Sequence, residues 1–434
     1  MSAAAEVSTH RTPDERLAAI FANQRRWLVR IAAPTPGVVA RADGVTAICS
    51  TDTHSIALPL GRSVSGAALD TAFAALRRAP APRGGLLVWS ATGDEPLRTA
   101  LHRRLLARGC DEAFQPRWMH RDLTLPANAD RPAPAGIRVA LAVPGDEPAV
   151  VAAEMAGTPY ASAPEAAALI AHGLLLAGRQ RMWLLLARDE NDGRVVGQVV
   201  VNLTTGRRGI AGIYSMGVHA GLQRRGIGTA LIRAAADLTR AQGATALGLN
   251  ATPDGEQLYR TLGFTVVADG QTWYMPASRL AIAPTSDAVD LAEAIARGSI
   301  SALERRTANL PMTDRLPNEE TPLAFAARFG QHAAARWLLA HGAPPEITAL
   351  WTLGWCDEAT ALLAEPTYLN ARSGPDQLTP LHEAIYRDDR DLTAMLLTAG
   401  ADCTATDTRY GGTPLSWAKA LGRAELVPLI EGAG

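Results

Sequence analysis

The richest chemical pattern in the chain is Met216-Gly217-Val218-His219-Ala220-Gly221-Leu222-Gln223-Arg224-Arg225-Gly226-Ile227-Gly228-Thr229-Ala230. An apolar strand ends, a short loop follows, and a long helix begins. Gly226 and Gly228 stand at the helix entry. The first backbone N–H groups of a helix have no intrahelical acceptor, and the helix dipole puts partial positive charge beside them. A glycine there carries no Cβ to keep an anion off the backbone. Arg224 and Arg225 add full charge. Together these residues read as a phosphate site.

The segment resembles the acyl-CoA loop of the GNAT superfamily of N-acetyltransferases, whose pattern is Gln or Arg, two residues, Gly, one residue, Gly or Ala; Gln223, Gly226 and Gly228 match it. A second signature follows in the expected order, Leu258-Tyr259-Arg260-Thr261-Leu262-Gly263-Phe264. The resemblance implies acetyl-CoA as co-substrate and no metal. It implies that backbone amides of Gln223, Arg224, Arg225, Gly226, Ile227, Gly228 and Thr229 hold the CoA pyrophosphate. Met216, Gly217 and Val218 would pair with pantetheine as an added strand edge, with Asn250 contacting it from the next strand. The Val218 N–H would stabilise the oxyanion. Tyr259 would protonate the departing thiolate, a task that suits a phenol because it stays protonated at neutral pH. Many family members carry asparagine and alanine seven and four residues before that tyrosine; here Thr252 and Gly255 stand there. The general base is open: Glu154, Glu165, Tyr214, Ser215 and His219 are candidates by position.

Other chemistry finds no pattern. The histidines show no HxxxH or HExxH spacing, and there is no GxSxG elbow or GxxxxGK[ST] loop. Cys49, Cys110, Cys356 and Cys403 are far apart and read as free thiols in a reducing cytoplasm. The formal net charge of −1 gives no global case for nucleic acid or an anionic membrane. No signal peptide or membrane span is expected.

The elements that must position these residues fall into three blocks. The expected fold class is an α/β (α+β) GNAT-type mixed sheet with flanking helices, plus an all-α ankyrin solenoid. Residues 1–125 form the first block. It opens on a capping-box helix from Thr12 and a hairpin around Asp43-Gly44. A helix to Arg78, a strand at Leu86-Leu87-Val88-Trp89, a helix ended by Gly109 and a strand through Trp118-Met119 follow. Residues 136–280 form the second block, with strand order β-α-α-β-β-β-α-β-α-β-β and a final hairpin turning near Asp269-Gly270. The first block reads as a decayed copy of the second. Leu105-Leu106-Ala107-Arg108-Gly109-Cys110 parallels Tyr259 to Phe264, with Leu105 in the place of Tyr259, and Trp118-Met119 parallels Trp273-Tyr274-Met275.

Residues 287–434 repeat themselves. Thr321-Pro322-Leu323, Thr379-Pro380-Leu381 and Thr413-Pro414-Leu415 share one pattern, each followed by an alanine and then a turn residue, Gly330, Asp388 or Gly422. This resembles ankyrin repeats, four or five in all, with His382 as a turn hydrogen-bonder. Trp337, Trp351, Trp355, Trp417 and Tyr386 are candidate anchors for a protein partner or packing residues between repeats.

The reading is an acetyl-CoA-dependent N-acetyltransferase acting on a primary amine. A small-molecule amine, antibiotics included, ranks just ahead of a protein. The alternatives are an acyl-CoA-sensing adaptor working through its repeats, and a protein N-acetyltransferase whose repeats dock the substrate.

Overall fold

The computed structural model describes residues 12–32, 37–91, 94–125, 134–143, 181–204, 209–306, 311–374 and 376–433. The two helical stretches expected before residue 177, with Glu154 and Glu165, lie outside the described residues. The chain divides into two compact units: Met1–Leu101 with Glu112–Ala283, and His102–Asp111 with Pro284–Gly434.

Helix α1 (Pro13–Ile31) begins with the capping box read from the sequence: the Thr12 hydroxyl accepts from the Glu15 N–H, and Glu15 accepts from the Thr12 N–H. Strands β1 (Gly37–Ala42) and β2 (Val45–Cys49) form the expected hairpin, with Asp43 and Gly44 both at positive φ in the turn. β3 (Thr53–Ala57), helix α2 (Gly66–Arg78), β4 (Gly85–Ser90) and helix α3 (Glu95–Leu106) follow, then the short β5 (Asp111–Glu112) and β6 (Arg117–Asp122). In the second block come β7 (Ile137–Leu141), β8 (Met182–Asp189), β9 (Val195–Leu203), β10 (Ala211–Val218), helix α4 (Ile227–Ala241), β11 (Ala246–Ala251), helix α5 (Pro253–Thr261), β12 (Thr265–Asp269) and β13 (Gln271–Met275).

The strands build two sheets, ordered β1-β2-β3-β4-β13-β5 and β12-β6-β11-β10-β9-β8-β7. The hairpin expected at Asp269-Gly270 does not form. β12 pairs with β6 in the second sheet, while β13 crosses to pair with β4 in the first. The exchange is reciprocal, since β6 from the first block lies between β11 and β12. Its strands are the two segments that resemble each other, Trp118-Met119 and Trp273-Tyr274-Met275. Gly270 serves the crossing: its N–H donates to the Pro116 carbonyl at 2.7 Å, and a Cβ there would meet Trp118 Nε1 at 2.4 Å.

The second sheet is buried on both faces, which explains the near-continuous apolar run of β9. Along β8, Trp183, Leu185 and Ala187 join the core under Ile227, Leu231 and Ala235 of α4. Met182, Leu184 and Leu186 join the core under Ile20, Trp27 and Leu28 of α1. Helix α1 comes close because two strand residues lack side chains. A Cβ on Gly212 would lie 2.1 Å from Asn23 Oδ1, and one on Gly248 would lie 2.6 Å from Ile20 Cγ1.

In the second unit the described residues form five helix pairs, beginning with Ser286–Arg297 and Ile300–Arg306 and ending with Pro414–Ala420 and Val427–Glu431. Thr321, Thr379 and Thr413 each cap a helix whose first residue is proline. Gly330, Asp388 and Gly422 all adopt the left-handed turn conformation. His382 bonds Thr379 through Nδ1 and the Gly412 carbonyl through Nε2, so it ties one repeat to the next. Asp407 accepts from the N–H groups of Arg409, Tyr410 and Gly412 and from Trp417 Nε1. Burial works to raise its pKa, but the Tyr410 N–H and the other donors outweigh it and hold it down at about 2.

Candidate active site

β10 and β11 run parallel, yet they pair only at Ala211–Leu247 and Gly212–Gly248. Beyond Gly212, β10 pairs with β9 alone, and among the described residues its other edge parts from β11 in a wedge-shaped opening. Register with β9 slips between Tyr214 and Gly217, where two residues of β10 oppose one of β9. This is a β-bulge, with Ser215 at φ 44. Past the bulge, the His219 N–H donates to Val196 O at 2.9 Å. Strand N–H groups alternate between edges, so the Val218 N–H points away from β9 and into the wedge.

At the end of β10 the chain makes a 3-10 turn, Ala220–Leu222, and enters α4. Gly226 is the N-cap at φ 88, a conformation that costs a side-chain-bearing residue about 1–2 kcal/mol. Among the described residues no side chain caps this helix, and no acidic residue sits in its first turn. Its leading N–H groups are therefore open to an external anion. Gln223, Arg224, Arg225 and Gly226 are exposed, Gly228 and Thr229 half-buried, and Ile227 is in the core. Arg224, itself at φ 63, and Arg225 have no carboxylate partner among the described residues. Gly228 has a packing reason as well: a Cβ there would meet Met216 Cε at 2.8 Å and Leu258 Cδ2 at 3.3 Å. Gln223 does more than lend its backbone, since its Nε2 donates to Val218 O at 3.3 Å and ties the loop to the strand end.

Tyr259 lies on α5, which Thr252 caps by accepting from the Gly255 N–H. Its ring packs edge-on against Phe264 and is 8% exposed, within the same core as β11 and α4. Asn250 sits on the other lip of the wedge, but its side chain lies on the α1 face and donates to Gln24 Oε1 at 2.6 Å. With its side chain so engaged, Asn250 presents its backbone to the opening.

Among the candidate bases, Tyr214 is fully engaged. Its hydroxyl donates to Asn23 Oδ1 at 2.8 Å and its ring stacks on Trp27; burial pushes its pKa well up. A buried donor of this kind does not take a proton from an incoming amine. Ser215 is the bulge residue, and the His219 Nδ1 is buried without a hydrogen-bond partner among the described residues. Sequence reasoning missed Gln198, whose Nε2 donates to Ser215 O at 3.2 Å and pins the bulge. The available signal was a lone glutamine inside the apolar strand Val195–Leu203. Among the described residues no cluster of histidine, cysteine, aspartate or glutamate is arranged to hold a metal, and no helix is long and apolar enough to cross a membrane.

Residues 152–264 match the acetyltransferase (GNAT) family, and residues 291–407 match ankyrin repeats in three copies. No curated protein matches the chain. Among solved structures, a GCN5-related N-acetyltransferase from Kribbella flavida is 17% identical, with a TM-score of 0.42, over 60% of this chain and 95% of that one. A tandem GNAT protein from the clavulanic acid biosynthesis pathway is 16% identical, with a TM-score of 0.40, over 63% and 98%. A GCN5-related N-acetyltransferase from Sphaerobacter thermophilus is 19% identical, with a TM-score of 0.39, over 54% and 77%.

Proposed function

We propose that the chain, which carries a GNAT acetyltransferase domain followed by ankyrin repeats, is an N-acetyltransferase that acetylates a primary amine in the wedge between β10 and β11. The observation that carries this reading is the parting of those strands after Gly212 and Gly248, beside an uncapped helix start. The family uses acetyl-CoA as co-substrate, and the residues around the wedge suit it. Open N–H groups of residues 226–229, with Arg224 and Arg225, take the pyrophosphate. The free edge of Met216, Gly217 and Val218 takes pantetheine, facing the backbone of Asn250.

The amine attacks the thioester carbon directly, in a ternary complex. The carbonyl oxygen gains charge, and the Val218 N–H stabilises it. As the C–S bond breaks, Tyr259 gives its proton to the sulfur, and the proton lost by the amine passes to water. Gln223 and Gln198 are positioning residues, acting through Val218 O and Ser215 O.

A small-molecule amine stands ahead of a protein acceptor, because the first block reads as a second, inactive transferase-like copy and the resemblance associates tandem copies with small acceptors. The three blocks, residues 1–125, 136–280 and 287–434, are accordingly an inactive copy, a catalytic domain and a protein-binding solenoid. Four free cysteines, two of them buried, favour a cytoplasmic setting. The test is CoA release from acetyl-CoA across amines, antibiotics and lysine peptides. Release with one acceptor class, lowered in Tyr259→Phe, supports the reading. Tight acetyl-CoA binding with no release for any acceptor transfers it to the adaptor.

A further inference from the structure

A second concave site lies away from the wedge and shares no residue with it. It is a cleft of about 670 Å³ between α1 and the β1–β2 hairpin, with Arg25, Arg26 and Arg30 on one wall and Arg41 and Asp43 on the other. We infer that this cleft binds a small phosphate-bearing anion.

The charge is the first argument. Four arginines face one aspartate in a chain whose net charge is −1. Among the described residues, none of the four is paired with a carboxylate. Asp43 is partly occupied by Ser65, whose hydroxyl donates to it at 3.3 Å. Arg26 and Arg30 stand four residues apart on one helix, a like-charge spacing that destabilises the helix unless something neutralises it.

The cleft is also preorganised. Arg30 is half-buried, and its Nη1 donates to the carbonyls of Arg181 and Leu203 at 3.3 Å each and to Asn202 Oδ1. These neutral acceptors fix the guanidinium without cancelling its charge. Burial, followed by the nearby charges of Arg26 and Arg181, lowers its pKa. Guanidinium groups bind phosphate oxygens through paired N–H donors, and the volume suits a small ligand.

The test is calorimetric titration of the full chain with pyrophosphate, orthophosphate and citrate. The variants are Arg26→Ala/Arg41→Ala for the cleft and Arg224→Ala/Arg225→Ala for the α4 entrance. The expected wild-type result is two pyrophosphate sites. The first variant loses one of them, its affinity falling at least about tenfold, and still binds acetyl-CoA. The second variant retains that same site, which separates this inference from the acetyl-CoA assignment. An Arg26→Ala/Arg41→Ala isotherm identical to wild type overturns the proposal, as does citrate binding without either phosphate. Should the double variant unfold, Arg41→Gln alone, at an exposed hairpin position, carries the same comparison.

Discussion

β3 with β4 and β10 with β11 are the same kind of pair: parallel neighbours joined through a helix, α2 in the first sheet and α4 in the second. In the first sheet the pairing runs unbroken from Thr53–Gly85 to Ala57–Trp89, and Leu58 adds a further bond to Trp89 O. In the second it stops after two pairs. The helix starts differ too. Ser65 caps α2 by accepting from the Ala68 N–H at 3.2 Å, whereas Gly226 leaves α4 uncapped. One sheet has spent its strand edge and helix amides on itself. The other holds both in reserve, and that reserve is what a thioester with a pyrophosphate tail requires. On the proposed reading of the first block as a decayed copy, the tyrosine completes the contrast, because Leu105, fully buried, takes the place of Tyr259.

The largest effect is expected from the one side chain that sets the second block chemically apart. Tyr259→Phe should lower turnover about 10²- to 10³-fold with little change in acetyl-CoA affinity; steady-state kinetics beside calorimetry checks this, and unchanged turnover removes the residue from the mechanism. A second variant keeps the repeats out of the comparison. Burial raises the Glu346 carboxyl to about 7 against the Thr321 hydrogen bond, with Glu383 adding to the rise. A folded-state pKa above the unfolded one means stability is greatest at low pH and falls as pH rises from about 4.5 to about 7. Glu346→Gln should abolish that fall, worth about 3 kcal/mol, in denaturant melts across the window, while acetyl transfer is unaltered. An unchanged pH slope would refute the burial argument.

Smaller effects sharpen the sheet comparison itself. Gly226→Val forces a β-branched residue to positive φ and should weaken acetyl-CoA about 5- to 30-fold, through about 1–2 kcal/mol of strain; equal affinity by calorimetry would show that the loop tolerates a side chain. Ser65→Ala, at the matching helix start of the first sheet, should cost about 1 kcal/mol of stability. It should leave acetyl-CoA binding untouched, and a change in affinity would place ligand at the wrong sheet.

What could be read from the sequence was local. Thr12 announces its helix within four residues of itself, the Thr-Pro-Leu pattern marks the repeats, and Gly226 and Tyr259 belong to short linear patterns. What escaped was partner choice. Asp269-Gly270 carries the local signal of a hairpin, yet β12 and β13 find better partners 145 residues and more away, as in the bond from Thr265 Oγ1 to His120 O. The parting of β10 from β11 is likewise invisible in either strand, because it is a relation between two segments that α4 separates in the chain. The hydrogen bond from the Asn250 side chain to Gln24 is invisible too, because the two residues lie 226 positions apart.

Amide hydrogen exchange of the full chain with and without acetyl-CoA tests the contrast between the sheets most directly. The account predicts new protection at residues 216–218 and 226–229, and none at residues 55–69 of the first sheet. Protection at residues 55–69, or its absence at residues 216–229 under saturating acetyl-CoA, would contradict it.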